Sequence, residues 1–232
     1  MKIVTNEKII RRNKKIGQVT TIVSLVILGG GLFLSFQNDP TMLTYSLLAL
    51  IIGFMTSQLG IYYSTRWSKS PRIDESITSE LKGLDDKYTL YHFSSPVQHL
   101  LVGPCGILAL LPFIQRGVIT YEKNKWKQSG VNLYMRIFAQ EGLGRVDLEI
   151  ANTEDRIKKF LDKNLFDQAD YPSQVALVFT NPKATVQAPD APNATLQVDK
   201  LKDYVRRIAR EAPFPMDKIS TIQDALPKES VN

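Results

Sequence analysis

The chain has 232 residues, a formal net charge of +6 and 44% hydrophobic residues. Its single cysteine, Cys105, excludes a disulfide framework. From Ile73 onward it carries 20 Lys and Arg against 21 Asp and Glu, so the positive excess is confined to the first 72 residues and duplex binding by the later part is disfavoured.

In chain order, residues 1–15 read as a basic arm holding Lys2, Lys8, Arg11, Arg12, Lys14 and Lys15. Two uncharged apolar stretches follow, Ile16 to Phe36 and Thr41 to Thr65, parted only by Gln37-Asn38-Asp39-Pro40. Each is about 20 residues or longer, enough as a helix to cross the ~30 Å hydrocarbon layer of a bilayer. A signal peptide is the alternative for the first stretch. It is disfavoured by the length of the run, by the lack of a small-x-small cleavage site and by the second span that follows at once. The connector lacks Lys and Arg, whereas Arg66, Lys69 and Arg72 follow the second stretch. The positive-inside rule therefore puts both termini in the cytoplasm, with 16–65 as a two-span transmembrane hairpin. The juxtamembrane cations also suit anionic headgroups, at ~1 kcal/mol each.

Ala49, Gly53 and Ser57 recur every fourth residue and would let a helix approach closely, either the first span or another membrane subunit. Gly29, Gly30 and Gly31 loosen the first span in the same way. Neither span holds Asp, Glu, Lys, Arg or His, which argues against transport.

Residues 66–212 read as a soluble domain. Ile73, Ile77, Leu81 and Leu84 have helical spacing, and strands are expected at Tyr88 to Phe93, Val97 to Val102 and Ile107 to Phe113, the last two joined by the turn Gly103-Pro104-Cys105-Gly106. A hairpin over Val118 to Tyr121 and Lys125 to Lys127 closes on Lys123-Asn124. A loop from Gln140 to Arg145 leads to a helix from Asp147 to Leu161, then a buried strand from Val175 to Thr180 and a helix from Asp199 to Arg210. This order predicts an α/β or α+β domain with a mixed central sheet flanked by helices. Residues 213–232, with Pro215 and Pro227, read as a flexible tail.

The runs Leu84-Asp85-Asp86-Lys87-Tyr88, Val97-Gln98-His99-Leu100-Leu101-Val102 with Gly103-Pro104-Cys105-Gly106-Ile107, Trp126 after Gly117, and Leu177-Val178-Phe179-Thr180-Asn181 resemble the nuclease-related domain, NERD. The resemblance covers roughly Asp74 to Arg210. It implies a restriction-endonuclease-like fold of the PD-(D/E)xK type and a site in which carboxylates hold a divalent metal and a lysine stands beside the attacking water. Carried onto this chain, the acid of the first helix falls on Asp74, the strand Asp on Gln98, and the Glu and Lys of the next strand on Leu111 and Phe113. The resemblance thus implies a degenerate motif without metal or cofactor. Glu75, Glu80, Glu122, Asp147 and Glu149 do not restore it, because none sits on the paired strands with a Lys two residues on.

Other constellations are weaker. Lys123, Lys125, Trp126 and Lys127 could meet an anionic surface or stack a base, or form a solvated hairpin with the Trp packed down. Lys202, Arg206 and Arg210 make an i, i+4, i+8 stripe suited to headgroups or an acidic partner, or to water. Gly142-Leu143-Gly144-Arg145 lacks the spacing of a phosphate loop. His92 and His99 have no Cys or further His nearby to make a zinc site. The expected partners are the bilayer and another membrane protein, with nucleic acid not favoured. Three functions remain: a noncatalytic membrane-anchored scaffold or accessory subunit, a nucleic-acid-processing protein with a divergent metal site, and a membrane sensor with a pocket at the old cleft.

Overall fold

A computed structural model of the chain describes residues 1–138, 142–164, 166, 167 and 170–231, and of Ile137 only the backbone. Gln140, where a loop was expected to begin, lies outside them. The chain divides into two units: an α/β unit of residues 1–7, 73–137 and 142–231, and a hairpin unit of Lys8–Arg72 with Phe138.

The α/β unit begins before the hairpin. Strand β1 is Lys2–Thr5 and is followed directly by helices α1, Glu7–Ser35, and α2, Pro40–Trp67. Then come α3 (Ile73–Leu81), β2 (Thr89–His92), β3 (His99–Gly103), β4 (Gly106–Phe113), β5 (Gly117–Glu122) and β6 (Lys125–Ser129). After them come α4 (Leu133–Ile137), α5 (Val146–Lys163), β7 (Ser173–Phe179), β8 (Ala184–Gln187), β9 (Ala194–Gln197), α6 (Leu201–Glu211) and α7 (Met216–Asp224).

Six strands form a mixed sheet in the order β1-β2-β3-β4-β7-β9, and β6-β5-β8 form a smaller one. The β2-β3-β4 meander is antiparallel, while β1 joins β2, and β7 joins β4 and β9, in parallel. Parallel neighbours need a long crossover between them. For β1 and β2 that crossover contains the whole apolar hairpin.

Alternation along the central strands divides the core. Leu90, Leu101, Leu108, Leu110 and Val178 face Ile77 and Leu81 of α3 and Leu201 and Val205 of α6. On the other face Leu100, Val102, Ile107, Ala109 and Val175 meet Ile157 and Leu161 of α5 and Ile219 and Ile222 of α7. Phe113, Leu177 and Phe179 continue that face toward Ile119 of the small sheet. The expected mixed α/β domain is therefore present.

Two terminal expectations are corrected. Residues 1–15 are no free arm: Val4 is fully buried in the core, and the basic residues from Lys8 to Lys15 lie on the first turns of α1. Residues 213–232 are no loose tail either, since Ile219, Ile222 and Leu226 are at most 5% exposed. Val231 runs beside β1, donating its N–H to the Thr5 carbonyl (3.0 Å) and accepting from Glu7 N–H (2.9 Å). Short apolar sets among Pro and polar residues gave no periodic signal of this anchoring.

Within the hairpin unit both helices are long and apolar enough to span a membrane. Asp39 caps α2, accepting from Thr41 N–H at 2.8 Å, with Pro40 at the first turn. The buried positions include Ile10, Gly17, Ser24 and Gly31 on α1, with Asn13 buried besides, and Ser46, Gly53, Gly60 and Trp67 on α2. Asn13 apart, these positions recur every seven residues, the spacing of a supercoiled helix pair. Two members of the four-residue stripe lie against α1: a Cβ on Gly31 would stand 3.0 Å from Ala49 Cβ, and one on Gly53 would meet Leu28, while Ser57 is half-buried. Ser46 Oγ donates across the seam to the Gly31 carbonyl at 2.7 Å. A Cβ on Gly60 would stand 2.7 Å from Thr21 Oγ1, so only glycine lets the backbones meet there. Gly29 and Gly30 have open space around them instead. Thr20, Thr21, Ser24, Thr56 and Ser57 donate to carbonyls of their own helices at 2.7 to 2.8 Å, which satisfies these hydroxyls without water.

Candidate functional site

The four positions of the resemblance do not form one site. Gln98 is exposed and precedes β3 instead of lying on it, its carbonyl accepting from Phe93 N–H at 2.7 Å. Leu111 pairs in register with Leu177 on β7, and Phe113 with Phe179. The Phe113 and Phe179 rings stack with centroids 5.2 Å apart and planes 20° from parallel. Leu111 and Phe113 belong to the face covered by α5, whereas Asp74 is buried on the first turn of α3, which packs on the other face. Hydrocarbon thus occupies the two strand positions where a hard cation would need oxygen ligands and attacking water a lysine.

A polar cluster does exist on the α3 face. His92 ends β2 and His99 opens β3, directly opposite each other in the ladder, and both are 1% exposed. Their Nδ1 atoms are 2.7 Å apart, and His92 Nε2 lies 2.8 Å from Thr78 Oγ1. A lone pair must face a proton at the first contact, so one ring carries hydrogen on Nδ1 and the other does not. Burial, followed by the neighbouring His92, holds the His99 pKa well below its ordinary value. Between the two histidines Phe93 adopts φ of +56°, a left-handed conformation uncommon for an aromatic residue, and its ring meets His99 edge-on at 4.9 Å. Asp74 lies one helical turn before Thr78. Among the described residues no group of three His, Cys, Asp or Glu side chains is arranged to hold a metal.

Sequence reasoning weighed these histidines only as zinc ligands and missed their pairing. The signal was present: two strands joined by a short turn, with a histidine at the end of one and at the start of the next.

The basic sets are largely occupied. Lys127 pairs with Glu122 at 2.6 Å, and Trp126 Nε1 donates to Asp147 Oδ1 at 3.1 Å while its ring packs 4.9 Å from Tyr121. Lys123 and Lys125 are exposed at the tip, where φ of +51° and +57° at Lys123 and Asn124 suits the tight two-residue turn of a twisted hairpin. On α6, Lys202 donates to the Lys82 carbonyl and Arg210 Nε to the Arg206 carbonyl at 3.2 Å. Arg206 and Arg210 edge an open cleft of about 530 Å³ with Asp85 and Tyr88. A cleft of about 410 Å³ runs between the 188–196 segment and the Lys200, Tyr204 and Arg207 face of α6.

Cys105 is buried, and desolvation pushes its pKa up to about 12, which leaves almost no thiolate at neutral pH. Burial likewise raises Tyr88 to about 12, with Cys105 and Asp85 adding to the shift.

No family model matches this chain, and no curated protein or solved structure matches it at a significant level.

Proposed function

We propose that this is an integral membrane protein with two spans and both termini cytoplasmic, carrying a degenerate nuclease-related domain of restriction-endonuclease-like fold. It serves as a noncatalytic accessory or scaffold subunit for another membrane protein. The observation that carries the reading is the Phe113–Phe179 stack with Leu111 beside it, hydrocarbon where the resemblance calls for a lysine and a carboxylate. The succession of α3, three antiparallel strands, α5 and the parallel β7 supports the fold assignment. Pairing of β1 with β2 supports the topology, because two crossings return the chain to the side on which β1 lies.

The full chain, solubilised in detergent, is incubated with labelled DNA and RNA in the presence and absence of Mg²⁺ or Mn²⁺. The expected result is no metal-dependent cleavage above the level of a mock preparation. Cleavage that needs metal and disappears in Asp74→Ala would overturn the reading in favour of a divergent nuclease using the polar α3 face.

A further inference from the structure

The outer face of α6 and the turn that follows α3 enclose a cationic cleft. Leu201 and Val205 of the helix belong to the same core cluster as Leu84 and Tyr88 of the turn, which holds the two against each other. Gly83 lets them close further: its φ of +86° suits glycine, and a Cβ there would stand 3.1 Å from Lys202 Nζ, which donates to the Lys82 carbonyl beside it. The open cleft of about 530 Å³ that remains is of a size that takes a small molecule.

Its lining sets Leu84 and Ala209 beside three donor side chains, Tyr88, Arg206 and Arg210. The two arginines are exposed, one helical turn apart on α6, and neither forms an ion pair among the described residues. Arg210 commits only its Nε, to the Arg206 carbonyl. Tyr88 is 5% exposed, yet its hydroxyl has no hydrogen-bond partner among the described residues, so a partner has to come from the cleft it lines. That phenol is protonated at neutral pH and is therefore a donor. Asp85, the one acid in the described lining, has its Oδ1 on Lys87 N–H at 3.0 Å.

We infer that this cleft binds the phosphate group of a small molecule, with Arg206 and Arg210 gripping its oxygens, Tyr88 donating a hydrogen bond, and Leu84 and Ala209 bearing on the rest of the ligand. Guanidinium forks match phosphate oxygens in shape and charge. A phosphate monoester, with close to two negative charges at neutral pH, matches two free cations, where one carboxylate would leave a cation uncompensated. A soluble phosphate ester and a lipid headgroup offer the same chemistry, and the test separates them. The cleft lies within the α/β unit alone, so the inference is independent of the spans and of the nuclease resemblance.

The full chain in uncharged detergent is titrated with phenyl phosphate, and separately with phosphatidate carried in the same micelles, binding being followed by phosphorus NMR. One equivalent should bind saturably. Arg206→Gln and Arg210→Gln should each weaken it about tenfold, the loss of one charge-assisted contact. Asp85→Asn, which keeps the turn acceptor and removes a repelling charge, should tighten it. Lys125→Gln removes the same charge from the exposed β5–β6 turn and should leave binding unchanged. Saturation by phenyl phosphate supports the inference with a soluble ligand, and saturation by phosphatidate alone supports it with a headgroup. Failure of both probes to saturate would overturn it. So would equal weakening by Lys125→Gln, which would mark a diffuse positive surface in place of a site.

Discussion

His99 ties a single side chain to the stability of the domain. Its folded pKa lies below the value of about 6.5 that an unfolded histidine has, so the unfolded chain binds more protons in the interval between the two. The contribution is complete above about pH 6.5 and is lost as the pH falls toward the folded pKa, at up to ~1.4 kcal/mol per pH unit for one proton. Denaturant midpoints compared between pH 7 and pH 5 should fall more steeply in the unsubstituted chain than in His99→Asn. The carboxylates titrate in both, so the difference isolates the histidine. Cys105 should react with a thiol reagent orders of magnitude more slowly in the folded chain than in denaturant, since burial and a pKa of about 12 both withhold the thiolate. Individual residues were legible where local chemistry fixed them. Lys123-Asn124 announced its turn, whereas Gln98 was placed on a strand that in fact opens one residue later, at His99.

At the scale of elements the hairpin seam and the β4–β7 contact are both open to substitution. Gly60→Leu should force α1 and α2 apart and lower the unfolding midpoint in a detergent titration, because its Cβ meets Thr21 backbone as well as side chain. Gly29→Leu and Gly30→Leu, with open space around them, should leave it within about 0.5 kcal/mol. Phe113→Ala removes one ring of a buried stack and should cost about 3 to 5 kcal/mol of domain stability, measured by chemical denaturation. Strong periodicity made β4, β7, α5 and α6 readable in the sequence. β8 and β9 were missed because four residues such as Ala184–Gln187, among prolines and small polar residues, carry too little alternation to stand out. The seam was legible in part, Ala49 and Gly53 lying against α1 as their spacing suggested. Small residues fall at both four- and seven-residue steps along α2, and only the partner helix decides between them.

At the scale of the whole molecule, both terminal segments are tied to the six-stranded sheet, β1 as its edge strand and Val231 by hydrogen bonds to Thr5 and Glu7. A chain ending at residue 212 loses Ile219, Ile222 and Leu226 from the core and the strand-like contact at Val231. Limited proteolysis should cut such a chain throughout the domain, while the full chain resists. Val4→Asp, which buries a charge on β1, should have the same effect although it lies outside the span of the nuclease resemblance. None of this was readable from one strand of four residues, because its partner, β2, is more than eighty positions away.

The placement of β1 ahead of the hairpin also bears on how the protein is made. This strand is synthesised before the hairpin and waits, unpaired, until both apolar helices have been made and β2 has emerged. On the proposed two-span topology, a nascent chain that inserted only one helix would leave β1 and β2 on opposite sides of the bilayer, and the sheet without β1. On that topology, completion of the sheet requires the hairpin to return to the side on which it started.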